Sequence, residues 1–358
     1  MSIIDGMCLS PYKKRITWID AARGLSILII VYAHIYDVSL VSDFVHLFHV
    51  PIFFVLSGLV WKKAESVKKF ALKTINNLVI PYLFVGIISI ALYMLMGASF
   101  KSKGALSLTE CIMGLFYADS RTGLMTWNRP LWFIPCLIAV RIIWELIALM
   151  KSKKLRAAAV LLIWAAGITL SLLPQIKLPL QGEVALNMLP FYAFGVFAQD
   201  IREKAEKLPL WKCLAVSAAG FAACIPIYIF NSENLSVQNN HYNNYVLFTV
   251  GAVCGCIFVC GMAAAVKNLR LLQFIGQNTL CILLWHKFPV LVFQITGFGK
   301  KCLASPDKPL SIAAGIAVMA AAVGCSILAA FVFSLIKKAV SNHGYKKGNY
   351  EQQRRKTR

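Results

Sequence analysis

Residues 16–58 read ITWIDAARGLSILIIVYAHIYDVSLVSDFVHLFHVPIFFVLSG, two apolar segments joined by a short acidic turn, and this stretch decides the fold. Each segment is of the length that crosses a bilayer as a helix, for which roughly 17 to 25 apolar residues are needed. The first carries Asp20, Arg23 and His34, where a lipid-facing helix would carry none. An ionised side chain near the centre of a membrane helix costs roughly 2.5 to 3.5 kcal/mol on insertion scales, so such residues face a polar interior and mark a pathway or a site. At about 100° per residue, Arg23 and His34 fall within about 20° of one helix face and roughly 16 Å apart along the axis, and are expected to look into one cavity. In the plainer reading Asp20 and Arg23, three apart, pair at the inner interface while His34 sits among the outer headgroups.

Moving outward, the chain of 358 residues is 59% hydrophobic and only 15% charged, which excludes an ordinary soluble domain. Ten apolar stretches qualify as membrane helices, at about residues 16–36, 44–61, 78–96, 131–150, 157–173, 184–198, 210–230, 245–266, 271–295 and 311–336. The expected fold is all-α, a polytopic membrane helix bundle. The sixth stretch is short and contains Pro190. No internal repeat or linker divides the chain, so residues 1–340 read as one integral-membrane domain. Residues 341–358 read as a basic cytoplasmic tail without regular structure, attracted to anionic lipid.

A net charge of +22 by itself suggests nucleic acid, but its distribution argues against that partner. The loops before the first span and after the second, fourth, sixth, eighth and tenth hold twenty-six lysines and arginines, against eight in the opposite loops. By the positive-inside rule both termini are cytoplasmic and the number of spans is even. The multi-pass chain belongs in a cell (inner or plasma) membrane. The first apolar segment, with Asp20 and Arg23 and no small-residue cleavage pattern, reads as a retained span and not a signal peptide. Most of the eleven cysteines fall inside apolar stretches without a CxxC pair, as small buried hydrophobes and not as a disulfide framework or metal site.

Further polar residues stand out. His46 and His49, three apart, have a spacing that suits zinc, but no further ligands accompany them and no metal is expected. His49, just before Pro51, reads as a hydrogen-bonding or proton-carrying neighbour of His34, and Ser57 with Gly58 as a close-packing pair. Ser57 lacks the surroundings of a nucleophile elbow. The stretch NRPLWFIPCLIAVRIIWELI from Asn128 holds Arg129, Trp132, Arg141 and Glu145, the last two four apart and expected to pair structurally. FIGQNTLCILLWHKFPVLVF from Phe274 sets His286 and Lys287 deep in the ninth apolar stretch. The loops 97–130 and 231–244 are long enough to form a polar, aromatic bowl for a sugar or lipid headgroup, and read equally well as ordinary surface loops.

The spacing of Arg23 and His34, the following FHVPIFFVLSG and the later PLWFIP resemble the integral-membrane acyltransferase family 3. IGQNTLCILLWH is similar to its branch of fucose 4-O-acetylases and related surface-polysaccharide O-acetyltransferases. The resemblance implies about ten helices and transfer of an acyl group, usually acetyl from cytoplasmic acetyl-CoA, onto a sugar hydroxyl of an envelope glycan or its lipid-linked precursor. It implies Arg23 and His34 as the catalytic pair, acetyl-CoA as donor substrate and no bound cofactor. Many members carry an Arg-x-x-Arg pair before the third span's proline, where this chain has Lys73 and Asn76 before Pro81. A lysine still meets a phosphate as a point charge and Asn does not.

The chemistry is consistent with these residues. A sugar hydroxyl needs a positioned base, and histidine titrates in the right range. His34 is the expected base, with Asp37 a candidate to orient its ring, and Asp20, His49, Ser57, Trp132 and His286 as supporting residues. Arg23 would steady the thioester or the charge developing on its carbonyl oxygen. Lys62, Lys63, Lys69 and Lys73 suit a CoA phosphate surface on the cytoplasmic side. The competing reading is a polytopic transporter or flippase for a glycan or small polar substrate.

Overall fold

The computed structural model describes residues 16–36, 39–95, 105–231 and 235–356. Among these no strand forms, and Ser236 and His241 make an isolated antiparallel bridge in the loop between two helices. The chain is an all-α polytopic helix bundle whose apolar runs become helices because backbone groups in hydrocarbon must be satisfied within the segment.

α1 (Thr17–Ile35) is the central element, with Trp18, Ile27, Val31 and Ile35 buried. After it come α2 (Leu40–Val45), a turn over residues 46–50, and α3 (Pro51–Leu59), so the expected second span is broken. Pro51 provides the reason: it lacks an N–H and its ring excludes the carbonyl four residues back, so it is tolerated at the start of a helix and not inside one. Nine residues of α3 rise only about 14 Å, half a hydrocarbon core. Its Ile52, Phe53, Phe54, Val55 and Leu56 are nevertheless buried, because α3 is wrapped by other helices and does not meet lipid.

α4 (Val67–Thr74), a π-helical turn at Ile75–Val79 and α5 (Ile80–Leu95) form one long span. α6 (Leu108–Tyr117) is short and starts with a capping box between Ser107 and Glu110. A 3-10 segment (Thr126–Trp132) leads into α7 (Phe133–Ile147), followed by the peripheral α8 (Lys153–Ser171), α9 (Gly182–Phe197), the short α10 (Ile201–Glu206), α11 (Leu210–Asn231) and α12 (Tyr245–Ala265). α13 (Arg270–Gln277) bends by 64° into α14 (Thr279–Trp285) and α15 (Lys287–Ile295). α16 (Gly297–Leu303) and α17 (Pro309–Lys356) complete the fold.

Among the described residues seven helices are long and apolar enough to cross a membrane, or eight if the bent pair counts as one span. The broken α2–α3 element and α9, sixteen residues long, account for the other two of the ten expected stretches. The backbone of α17 stays helical through Lys356, where the sequence suggested no regular structure. Its Glu, Gln, Lys and Arg residues are good helix formers even without an apolar face.

The packing of α3 against α9 positions the site. A Cβ on Gly58 would lie 2.0 Å from the Tyr192 carbonyl oxygen, and one on Gly195 would lie 2.1 Å from that of Val55. The two backbones therefore touch, as small residues permit between membrane helices. Gln199 fixes the far end of α3, its Nε2 donating to the carbonyls of Gly58 at 3.1 Å and Trp61 at 2.8 Å.

Candidate active site

Two cavities lie at opposite ends of α3. The first, about 70 Å³, is lined by His34, His46, His49, Trp132 and Phe133, with Ser236, Val237 and Gln238 from the loop before α12 among the rest of its wall. His34 ends α1, where Gln294 Nε2 donates to the carbonyls of His34 and Ile35, at 3.1 Å each. Those are acceptors that a helix terminus leaves open, so α15 holds the last turn of α1, and His34 with it, in place.

His286 stacks on His34 with ring centroids 5.3 Å apart and an angle of 27° between the planes. It is fully buried, and its Nδ1–H donates to the carbonyls of Ile282 and Leu283 at 2.9 Å. Its Nε2 is then the acceptor nitrogen, and it has no hydrogen-bond partner among the described residues. His49 is held the same way, its Nδ1–H donating to the Val45 carbonyl at 3.0 Å, and it meets the His46 ring edge-on at 4.9 Å. Backbone carbonyls one turn back thus fix two imidazoles in the tautomer whose free nitrogen is Nε2.

The second cavity, about 680 Å³, contains every donor-side residue the sequence pointed to: Lys62, Lys63, Lys69 and Lys73, together with Ser57. Arg141, Glu145 and Tyr192 line it as well. The expected Arg141–Glu145 pair is absent among the described residues. Glu145 instead accepts from the Trp61 indole at 2.8 Å, and the Arg141 guanidinium lies 5.5 Å from the centroid of the Phe70 ring. Asn76 faces outward and is not part of this wall.

The cavities have no lining residue in common but come close along two stretches of chain. Val50 borders the first and Ser57 the second, seven residues or about 10 Å of chain apart. Phe133 borders the first and Leu137 the second, one turn apart on α7. Phe133 also meets Phe53 and Phe54, at centroid distances of 5.9 and 5.3 Å, so an aromatic cluster stands beside the short way between the cavities.

Arg23 lines neither cavity. It lies 3.8 Å from Asp20, which also accepts from Gln277 Nε2 at 3.1 Å. The inner Asp20–Arg23 contact of the plainer reading is therefore formed, but His34 lies in a cavity among other histidines. Asp37 falls outside the described residues. The sequence did not place Gln294, Ser236 or Gln238 here: Gln294 holds a helix end 260 residues away, Gln238 is held by a glutamine 57 residues away, and none of the three carries a local signal. Arg141 did carry a signal, an arginine inside an apolar run, but its spacing to Glu145 gave it a structural explanation.

No curated protein and no solved structure matches the chain. A family model described as an acyltransferase domain matches residues 16–334, nearly the whole chain, and nothing in that match supports the transporter or flippase reading. The chain is a membrane protein that belongs to acyltransferase family 3.

Proposed function

We propose that this acyltransferase moves an acetyl group from acetyl-CoA to a sugar hydroxyl of a cell-envelope polysaccharide or its lipid-linked precursor, with His34 as general base. The observation that carries the reading is the pair of cavities at the two ends of α3, one lined by lysines and the other by histidines, with Phe133 and Leu137 one turn apart on α7 between them. The lysine cavity suits the phosphates of CoA, and the pantetheine arm is long enough to carry a thioester past Phe133 toward His34. By the charge bias of the loops, the lysine cavity opens to the cytoplasm and the histidine cavity to the outside of a cell membrane.

In the histidine cavity an acceptor hydroxyl gives its proton to His34 as its oxygen attacks the thioester carbonyl. The carbon–sulfur bond breaks, and the CoA thiolate leaves toward the lysines. His286 keeps the His34 ring in place by stacking. Trp132 offers an apolar face to a sugar ring, and the Ser236–Gln238 segment borders the same space. Arg23, about 16 Å down the axis of α1, is too far along it to share a carbonyl with His34, so its role narrows to charge on the donor-side half of the helix.

The test is acyl transfer from radiolabelled acetyl-CoA to envelope glycans in membranes carrying the protein, beside His34→Ala at equal expression. Label with the wild type and none with the variant is the expected result. Label that survives in the variant removes His34 as the base, and no label with either removes acetyl-CoA as the donor.

A further inference from the structure

The lysine cavity holds a cation that the function above does not use. Five cationic side chains, Lys62, Lys63, Lys69, Lys73 and Arg141, face two carboxylates, Glu65 and Glu145. Glu65 is engaged with Lys69, and Glu145 takes the Trp61 indole N–H. Arg141 has no carboxylate partner among the described residues, yet it projects from the middle of α7 into a cavity far larger than its own side chain requires. The four lysines come from the chain between α3 and α5 and form the rim. Arg141 comes from the opposite wall, beside Tyr192, Leu137 and Ser57, and lies deeper. The guanidinium makes a cation–π contact with Phe70 and hydrogen-bonds the Tyr192 side chain, and neither contact neutralises its charge.

A guanidinium without a carboxylate, in a cavity of net positive charge, is matched to a phosphate, which it can meet with two parallel N–H donors. The arrangement also answers the departure at Asn76: the second cation that is missing from α4–α5 is supplied across the cavity by α7. Resting on the acetyl-CoA reading, we propose that Arg141 binds the diphosphate of the donor, opposite Lys73, while the rim lysines meet its more exposed 3′-phosphate. Arg141 thereby sets how far the pantetheine arm extends past Ser57 toward Phe133.

The experiment compares three thioesters in membranes carrying the protein, following thiol release with the endogenous acceptors: acetyl-CoA, 3′-dephospho-acetyl-CoA and acetyl-pantetheine, which lacks the diphosphate. Wild type, Arg141→Met and Arg141→Lys are assayed beside Lys68→Met, an exposed lysine outside the cavity that controls for loss of general charge. Arg141→Met should raise KM for the first two donors by roughly 10- to 100-fold, the worth of a hydrogen bond to a charged group, and leave KM for acetyl-pantetheine where the wild type has it. Arg141→Lys should fall between, and Lys68→Met should match the wild type. A loss shared equally by all three donors, or no loss with any, overturns the assignment while the acetyl-CoA reading stands. If the wild type releases no thiol from acetyl-CoA, the donor reading itself fails and Arg141 loses its role with it.

Discussion

Single residues set the shape of the histidine cavity from a distance. Glu183 and Gln181 are fully buried, and Arg121 is paired with Glu183 and lies 3.6 Å from Asp119. Burial raises the Asp119 carboxyl above its ordinary range, while the Arg121 backbone N–H and guanidinium pull it back down. Beside this network Gln181 Oε1 accepts from the Ser120 N–H at 2.9 Å and its Nε2 donates to the Gln238 carbonyl at 2.7 Å. Asn187 Nδ2 donates to Asn240 Oδ1 at 3.0 Å. The loop that borders the His34 cavity is thereby tied to a buried ion pair. Removing one partner of such a pair leaves an uncompensated charge, so Glu183→Gln should destabilise the protein by about 3 to 5 kcal/mol. Thermal unfolding in detergent measures this, and Arg121→Met with Glu183→Leu should lose less than the two single changes added together. At the site, His286→Ala should lower kcat by roughly 10- to 100-fold and leave the donor KM in place, because it frees the His34 ring without touching the lysine cavity. A donor KM that rises with it would place His286 in binding. His34 was legible in the sequence because a polar residue in an apolar helix is costly and needs a reason. Gln238 was not, because the glutamine that anchors it lies 57 residues away in the chain.

At the scale of elements, apolar length located each helix long enough to cross a membrane, since a bilayer leaves few alternatives to one, but not the short α6, α10 and α16 between them. Irregularity was harder to read. The α2–α3 break has Pro51 as its marker, but a proline at the start of a helix looks the same in a full span and in a half span. The π-helical turn at Ile75–Val79, between Lys73 and Pro81, has no distinct composition and was invisible. The contact of α3 with α9 is the element-level feature beside the lysine cavity, to which α3 gives Ser57 and α9 gives Tyr192. Gly195→Val would drive a side chain into the Val55 carbonyl, and only a shift of one backbone relieves that clash. Overpacking costs about 1 to 3 kcal/mol where side chains yield, and a backbone clash belongs at or beyond the upper end. The expected result is a lowered unfolding temperature together with a loss of acyl transfer greater than the stability change explains. A variant that is destabilised but keeps full kcat and both KM values would show that the cavities do not depend on this contact.

For the whole molecule, the central question is whether the two cavities open to opposite sides of the membrane. The fold places them at opposite ends of α3, and the loops attached to those ends differ in charge. Lys68, at the start of α4, belongs to the lysine end; Thr109, at the start of α6, belongs to the loops with few cations. Both residues are exposed, so cysteines placed there meet reagent without repacking. In intact cells a membrane-impermeant maleimide should label Thr109→Cys and leave Lys68→Cys untouched until the membrane is opened, with the wild type as control for the native cysteines. If both label from outside, the positive-inside argument fails for this chain and transfer would take place on one side. If the sides differ as expected, acetyl-CoA added to sealed right-side-out vesicles should support no transfer, and the same acetyl-CoA loaded inside should support it. The thioester would then cross beside Phe133 while CoA stays with the lysines, and the protein would carry an acetyl group through the membrane without carrying its donor.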